Sequence, residues 1–225
     1  MKPTLSNQFH FSTIKRLATS LLFLIVSYTL SAQTVHTVDN RPQSGAQHTT
    51  VASAISAASP GDIIYIQPSP TSYGNITITK TLTVIGGGHN LDNFDGIRST
   101  VGTILLQNNV SQDVSGTKIT GLNIGSINGF SFGQNSDNVH IINNRFTGTV
   151  NGYFNGTGSA NWIIEGNYWD SSYAANNIVV EYNANWQIRN NVFEGRIEQM
   201  NHTCIITNNV SVSYTHLTLP TTSRV

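Results

Sequence analysis

Ile141-Ile142-Asn143-Asn144-Arg145-Phe146 returns as Ile164-Glu165-Gly166-Asn167-Tyr168-Trp169 and as Ile188-Arg189-Asn190-Asn191-Val192-Phe193, and begins again at Ile206-Thr207-Asn208-Asn209. In each copy an aliphatic residue is followed by Asn at the third position and, in the complete copies, by an aromatic at the fifth. Val139, Trp162, Trp186 and Cys204 each precede the aliphatic residue by two positions, and Ile119-x-x-Leu122-x-Ile124 is a degenerate earlier copy. The aligned residues Ile119, Ile141, Ile164, Ile188 and Ile206 are spaced by 22, 23, 24 and 18 residues, so the chain repeats a unit the size of one solenoid coil.

Apolar and polar residues alternate inside each copy, as in Val139-His140-Ile141 and Trp186-Gln187-Ile188. That period of two belongs to a strand with one buried face. A unit of this length is too short for the common paired-helix repeats, which need about 33 residues or more. The reading is therefore all-β, a single-stranded parallel β-helix in which each repeated residue lies over its equivalent one coil below. Strands of neighbouring coils are then about 4.8 Å apart.

Stacking explains the recurring residues. The three-residue step from Ile141 to Asn144 breaks the alternation and marks a tight turn, where a side-chain amide can bond backbone groups and the next Asn. Asn144, Asn167, Asn191 and Asn209 are thus expected to form an asparagine ladder. Phe146, Trp169 and Phe193, with the Trp162 and Trp186 pair, are expected as core stacks rather than a sugar platform. Cys204 takes the inward position of Val139, Trp162 and Trp186, where it reads as a small buried hydrophobe; as the single cysteine it has no internal disulfide partner.

At the amino terminus Lys2, Lys15 and Arg16 precede an apolar run from about Leu21 to Leu30, and Leu30-Ser31-Ala32 ends in a small residue before Gln33. This is the layout of a secretory signal peptide over residues 1–32, cleaved near Ala32, with an apolar run too short to span a bilayer. The mature protein is expected to be secreted, in the extracellular space or at the cell surface. At the other end Val212 to Thr221 translates a transposase-type sequencing adapter read in frame. Residues 211–225 are accordingly expected to be a non-native tail, and the natural protein to continue differently after residue 210. Eleven Lys and Arg balance eleven Asp and Glu, which gives no basis for a nucleic acid or an anionic membrane as partner.

Between these ends, residues 33–61 read as a lead strand and a capping helix, and residues 62–210 as the coils. Val51, Ala54, Ile55 and Ala58 share one face at helical spacing, with Thr49 or Thr50 as N-cap and Pro60-Gly61 as the stop. Such a helix would cover the apolar end of the first coil. Asp62–Gln67, Asn75–Thr79 and Leu82–Gly86 alternate as strands; Gly86 to about Thr100 reads as a loop, after which Thr103–Leu106 resumes the coil. The run from Thr50 to Gly86 resembles the N-terminal part of secreted right-handed parallel β-helix proteins of the pectin-lyase-like superfamily. It combines the helix, Pro60-Gly61-Asp62, Ile64-Tyr65-Ile66, Tyr73-Gly-Asn-Ile-Thr-Ile78 and Leu82-Thr-Val-Ile-Gly86. The later cassettes are similar to the repeat of that superfamily, so the resemblance extends over most of residues 35–210 and implies a right-handed coil. It does not select an activity, because the superfamily holds lyases, glycosidases, esterases, adhesins and proteins without assigned chemistry.

The resemblance implies that a lyase would bring Ca²⁺-binding carboxylates with an Arg or Lys base, and a glycosidase an Asp cluster with Gly-His-Gly and Arg-Ile-Lys segments; those glycosidase segments do not occur in this chain. Glu165 and Arg189 hold equivalent positions one coil apart, with Ile142 and Thr207 in the same column, and read as a screened surface ion pair or as an acid beside a lyase base. Asp92 and Asp95 are too few for Ca²⁺, and His36, His48, His89, His140 and His202 lack ligand spacing, so each reads as a lone surface residue and no metal or cofactor is expected. Tyr153, Phe154, Tyr168, Tyr173 and Tyr182 fall at bends or outward positions, where rings can stack on sugars. The leading expectation is a structural or binding module that contacts extracellular polysaccharide or cell-surface glycan, with Glu165, Arg189 and Tyr168 as candidate surface residues and no catalytic residue assigned. The alternatives are a polysaccharide lyase or glycoside hydrolase acting on acidic polysaccharide, with its site incomplete in this fragment, and the passenger region of a larger adhesin.

Overall fold

The computed structural model describes residues 32–88, 96–108, 111–131, 136–152, 159–170, 176–181, 185–193, 196–200 and 204–211. The chain divides into two compact units, Met1–Gln33 and Thr34–Val225, and every described strand belongs to the second. The leader up to residue 31, Asp92, Asp95, His89, His202, Tyr153, Phe154, Tyr173, Tyr182 and the tail from residue 212 lie outside the described residues.

Strands follow one another in rungs. After β1 (Val35–Val38) and the helix α1 (Val51–Ala57) come β2 (Ile63–Ile66) with β3 (Ile76–Ile78), β4 (Thr83–Ile85) with β5 (Thr100–Asn108), and β6 (Lys118–Thr120) with β7 (Asn123–Ser131). The next three rungs each hold three strands: β8 (His140–Ile142), β9 (Arg145–Phe146) and β10 (Val150–Asn151); β11 (Ile163–Glu165), β12 (Tyr168–Trp169) and β13 (Asn176–Glu181); β14 (Trp186–Arg189), β15 (Val192–Phe193) and β16 (Arg196–Met200). The last described rung contains β17 (Cys204–Thr207) and β18 (Val210–Ser211), which takes in one residue of the expected tail.

These strands make two sheets, and every strand pairing within them is parallel. The first sheet runs β1-β2-β4-β6-β8-β11-β14-β17, so the opening strand of each rung lies beside that of the next. Its register places Ile64, Val84, Ile119, Ile141, Ile164, Ile188 and Ile206 in one file. All but Ile206 are fully buried, and Ile206 packs half-buried against the same core. In the second sheet β5 and β7 are continuous nine-residue strands. From the following rung onward the long strand is replaced by two short ones, because β7 pairs with β9 through Ile124 and Phe146 and with β10 through Ile127 and Val150.

α1 forms where the sequence places it. Thr50 is the N-cap, its hydroxyl accepting the Ser53 N–H at 3.2 Å, and Ala58 closes the C-terminus. Val51, Ala54 and Ile55 are buried, and the helix lies against β1, β2 and β3. Lys80 donates to the Ala58 carbonyl at 2.7 Å, satisfying a group that the helix end leaves open.

The corner between the two sheets has one recipe. From β6 onward a residue in the left-handed region follows the first-sheet strand: Gly121, Asn143, Gly166, Asn190 and Asn208 after β6, β8, β11, β14 and β17, with φ between 54° and 71°. Asn is the residue other than Gly that enters this region most readily, and its short amide explains the Asn-Asn pairs of the cassette. Gly166 has a second reason, since a Cβ there would stand 2.3 Å from Asn143 Oδ1 on the rung below. The ladder Asn comes next. Asn144, Asn167 and Asn191 are buried. Each side-chain oxygen accepts the backbone N–H of the preceding rung's equivalent residue: Leu122, Asn144, Asn167 and Asn191 donate to Asn144, Asn167, Asn191 and Asn209 at 2.9–3.1 Å. The amide nitrogens donate to the carbonyls of Ile119, Ile141, Ile164 and Ile188 at 2.8–2.9 Å. A turn buried inside the stack thereby keeps its backbone groups paired.

The expected aromatic stacks are present inside. The Trp162 and Trp186 rings lie 4.6 Å apart and 7° from parallel, and Trp169 stands 4.7 Å from both Phe146 and Phe193. Each indole N–H finds a carbonyl: Trp162 that of Ser136, Trp186 that of Ser159 and Trp169 that of Gly148. Cys204 is the correction in this file. It aligns with Trp186 as expected, but it is half-buried rather than enclosed, because no further rung lies over it among the described residues.

Candidate functional site

The alternation that turns Ile141, Ile164 and Ile188 inward turns their neighbours outward. On the first sheet one outward column holds Lys118, His140, Ile163 and Gln187, and the other holds Thr120, Ile142, Glu165, Arg189 and Thr207. Glu165 and Arg189 are register partners, as the repeat spacing requires. Arg189 Nη2 donates to Glu165 Oε2 at 2.9 Å, Arg189 Nη1 donates to Gln187 Oε1 at 2.8 Å, and Asn190 Nδ2 reaches Glu165 Oε1 at 3.2 Å. The guanidinium of Arg189, with help from the Asn190 amide, holds the Glu165 carboxyl below its usual range against a smaller opposing effect of burial. His140 is shifted down as well, chiefly by burial and further by the positive charges of Lys118 and Arg189.

Tyr168 lies beyond the corner made by Gly166 and Asn167, on the second sheet. Its outward column contains Thr100, Asn123, Arg145, Tyr168, Val192 and Val210. The Arg145 guanidinium carbon sits 5.2 Å from the centre of the Tyr168 ring, a cation–π distance. Arg145 Nε donates to Asp170 Oδ2 at 3.1 Å, and its Nη2 bonds the same oxygen. The three named candidates therefore occupy two adjoining faces on either side of one corner, with Glu165 and Tyr168 separated by two residues of chain.

Sequence reasoning did not single out Arg145, Asp170 or Lys118. Arg145 had a readable signal, since it occupies the variable position between the ladder Asn and the aromatic, where Tyr168 and Val192 stand in later copies. The expectation that every histidine stands alone is also corrected. His36 Nδ1 lies 3.3 Å from His48 Nε2, and His36 Nε2 lies 3.3 Å from Asp62 Oδ2. His48 approaches because its backbone forms a parallel bridge to Val38, a contact between segments that no local spacing rule covers.

Chemically, Glu165 has each oxygen engaged by a donor, and its lowered proton affinity makes it a weak general base. Arg189 is committed on two of its nitrogens. The arrangement is a set of fixed planar hydrogen-bonding groups beside an aromatic ring. No protein-family model matches the chain, and neither a curated protein nor a solved structure matches it significantly.

Proposed function

We propose that this protein is an exported right-handed parallel β-helix of the pectin-lyase-like kind, serving outside the cell as a binding module for glycans rather than as an enzyme. The basic leader with its apolar run supports export. The all-parallel pairing, with each rung adding to the same two sheets, supports the coil. Handedness rests on the resemblance over residues 50–86 and on the strong preference for right-handed connections between parallel strands.

One observation carries the choice of binding over catalysis. Glu165, the carboxylate paired with Arg189 on the outward face of the first sheet, is doubly hydrogen-bonded and held in its charged form. The base of the lyase reading would be Arg189, whose guanidinium is instead committed as a donor to Glu165 and Gln187; a pair so fixed offers oriented donors and acceptors to sugar hydroxyls. Tyr168, with Arg145 and Asp170 around it, adds a ring and a polar fork on the adjoining face.

Electrophoresis of the full chain through gels loaded with polygalacturonate, alginate or a neutral glucan tests this reading. Retardation by at least one polysaccharide, reduced by Tyr168→Ala or Arg189→Ala, is the expected result. Unchanged mobility in all gels would sink it. Ultraviolet absorbance from newly formed unsaturated uronate ends would replace it with the lyase reading.

A further inference from the structure

We propose that His36 and His48 form a binding site for a tetrahedral divalent cation of the Zn²⁺ type, at the end of the first sheet and away from the faces that carry Glu165 and Tyr168. The two ring nitrogens, His36 Nδ1 and His48 Nε2, are 3.3 Å apart. Two imidazoles that bind one Zn²⁺ at roughly 2.0–2.1 Å place their nitrogens about 3.3–3.4 Å apart along a tetrahedral edge. A square-planar ion such as Cu²⁺ would require the shorter separation of about 2.8–2.9 Å between neighbouring donors. The spacing at which the two rings are hydrogen-bonded is thus also that of a tetrahedral edge.

The tautomers agree with this role. His36 Nε2 is 3.3 Å from Asp62 Oδ2, so the carboxylate takes the Nε2–H and leaves the Nδ1 lone pair directed at His48. Asp62 is itself locked, accepting the Thr34 N–H at 2.9 Å and the Ser59 N–H at 2.7 Å. A carboxylate behind a histidine is the arrangement that orients metal-binding imidazoles and raises their basicity. His48 is fixed by its backbone, which donates to Thr37 O at 3.0 Å and accepts from Asp39 N at 2.9 Å. The ion takes the place of the hydrogen bond that His48 Nε2 donates to His36 Nδ1, and the His48 proton passes to its own Nδ1. No group of three or more His, Cys, Asp and Glu side chains converges among the described residues. The pair therefore supplies two corners, and water completes the other two.

Titration calorimetry of the full chain with Zn²⁺, together with visible spectra of the chain loaded with Co²⁺, tests the assignment. The expected result is one equivalent of Zn²⁺ bound, with the intense absorption of tetrahedral Co²⁺. His36→Ala and His48→Ala should each weaken binding by roughly tenfold or more, whereas His140→Ala leaves it unchanged. Carbethoxylation of the unaltered chain, mapped by mass spectrometry, avoids dependence on the folding of variants; Zn²⁺ should protect His36 and His48 selectively. Binding that persists in both variants, protection confined to other histidines, or the absence of a saturable site would overturn the proposal.

Discussion

Asn144 and Asn167 are joined twice across one rung: the backbone N–H of Asn144 donates to Asn167 Oδ1 at 2.9 Å, and the Asn144 side-chain amide donates to the same oxygen at 3.2 Å. Asn167 in turn donates to Ile141 O at 2.8 Å and to Asn191 Oδ1 at 3.0 Å. One buried side chain thus serves the backbone of the rung below and the amide of the rung above.

Asn167→Ala removes those partners together and leaves buried groups unpaired. The expected loss is about 2–4 kcal/mol of unfolding free energy, read from urea denaturation, with a partly exposed strand position such as Asn123→Ala as reference. A loss below that of the reference would mean that water replaces the ladder.

Trp186→Ala opens a cavity over Trp162 and removes both the ring stack and the bond to the Ser159 carbonyl. A cost of about 3–5 kcal/mol is expected, against less than about 1.5 kcal/mol for Ile163→Val on the outward side of the same sheet. Thermal unfolding followed by circular dichroism distinguishes the two.

Glu165 and Arg189 are about a third exposed, so water screens their attraction. A double-mutant cycle should give a coupling of about 0.2–1 kcal/mol that shrinks as salt is added. Because the folded-state carboxyl lies below its unfolded value of about 4.3, this contribution is present above that value and disappears as the pH falls through the folded value. A coupling that does not weaken as the pH is lowered below those values would contradict the assignment.

Cys204 is pushed up to about 12 by burial, which leaves its thiol protonated at neutral pH. Alkylation by iodoacetamide should be slower than for free cysteine and should accelerate on unfolding in urea. Equal rates in the folded and unfolded chain would show that this position is open.

Gly86 cannot carry a side chain without displacing the chain beside it, since a Cβ would stand 2.3 Å from the Gly121 carbonyl oxygen. Gly86→Ala should destabilise by about 1–3 kcal/mol, the range for overpacking. The shift in the unfolding midpoint checks this. A neutral substitution would mean that β4 and β6 separate at little cost.

Much of the architecture was legible because it depends on period and repetition. Ile119, Ile141, Ile164 and Ile188 recur at intervals close to one coil and alternate with polar neighbours, and both features survive unchanged into the register of the first sheet. An N-cap at Thr49 or Thr50 was legible for the same local reason, and the structure chose Thr50. The candidate faces were only half legible. Glu165 and Arg189 could be aligned from the cassette, whereas the Arg145 bonds to Asp170 and its approach to Tyr168 depend on how far side chains lean along and across strands, which spacing does not specify.

By itself, the amino-acid order determined which residues point inward and which Asn residues stack, because a period of two and a repeated turn leave each side chain one face to occupy. Only the tertiary structure decided that the continuous strand of β5 and β7 divides into β9 and β10 in the next rung, and that His36, His48 and Asp62 meet. Those outcomes arise from backbone pairing between distant segments, Val38 with His48 and Ile127 with Val150. The free energy of such pairing belongs to neither segment alone, so neither local sequence carries its signature.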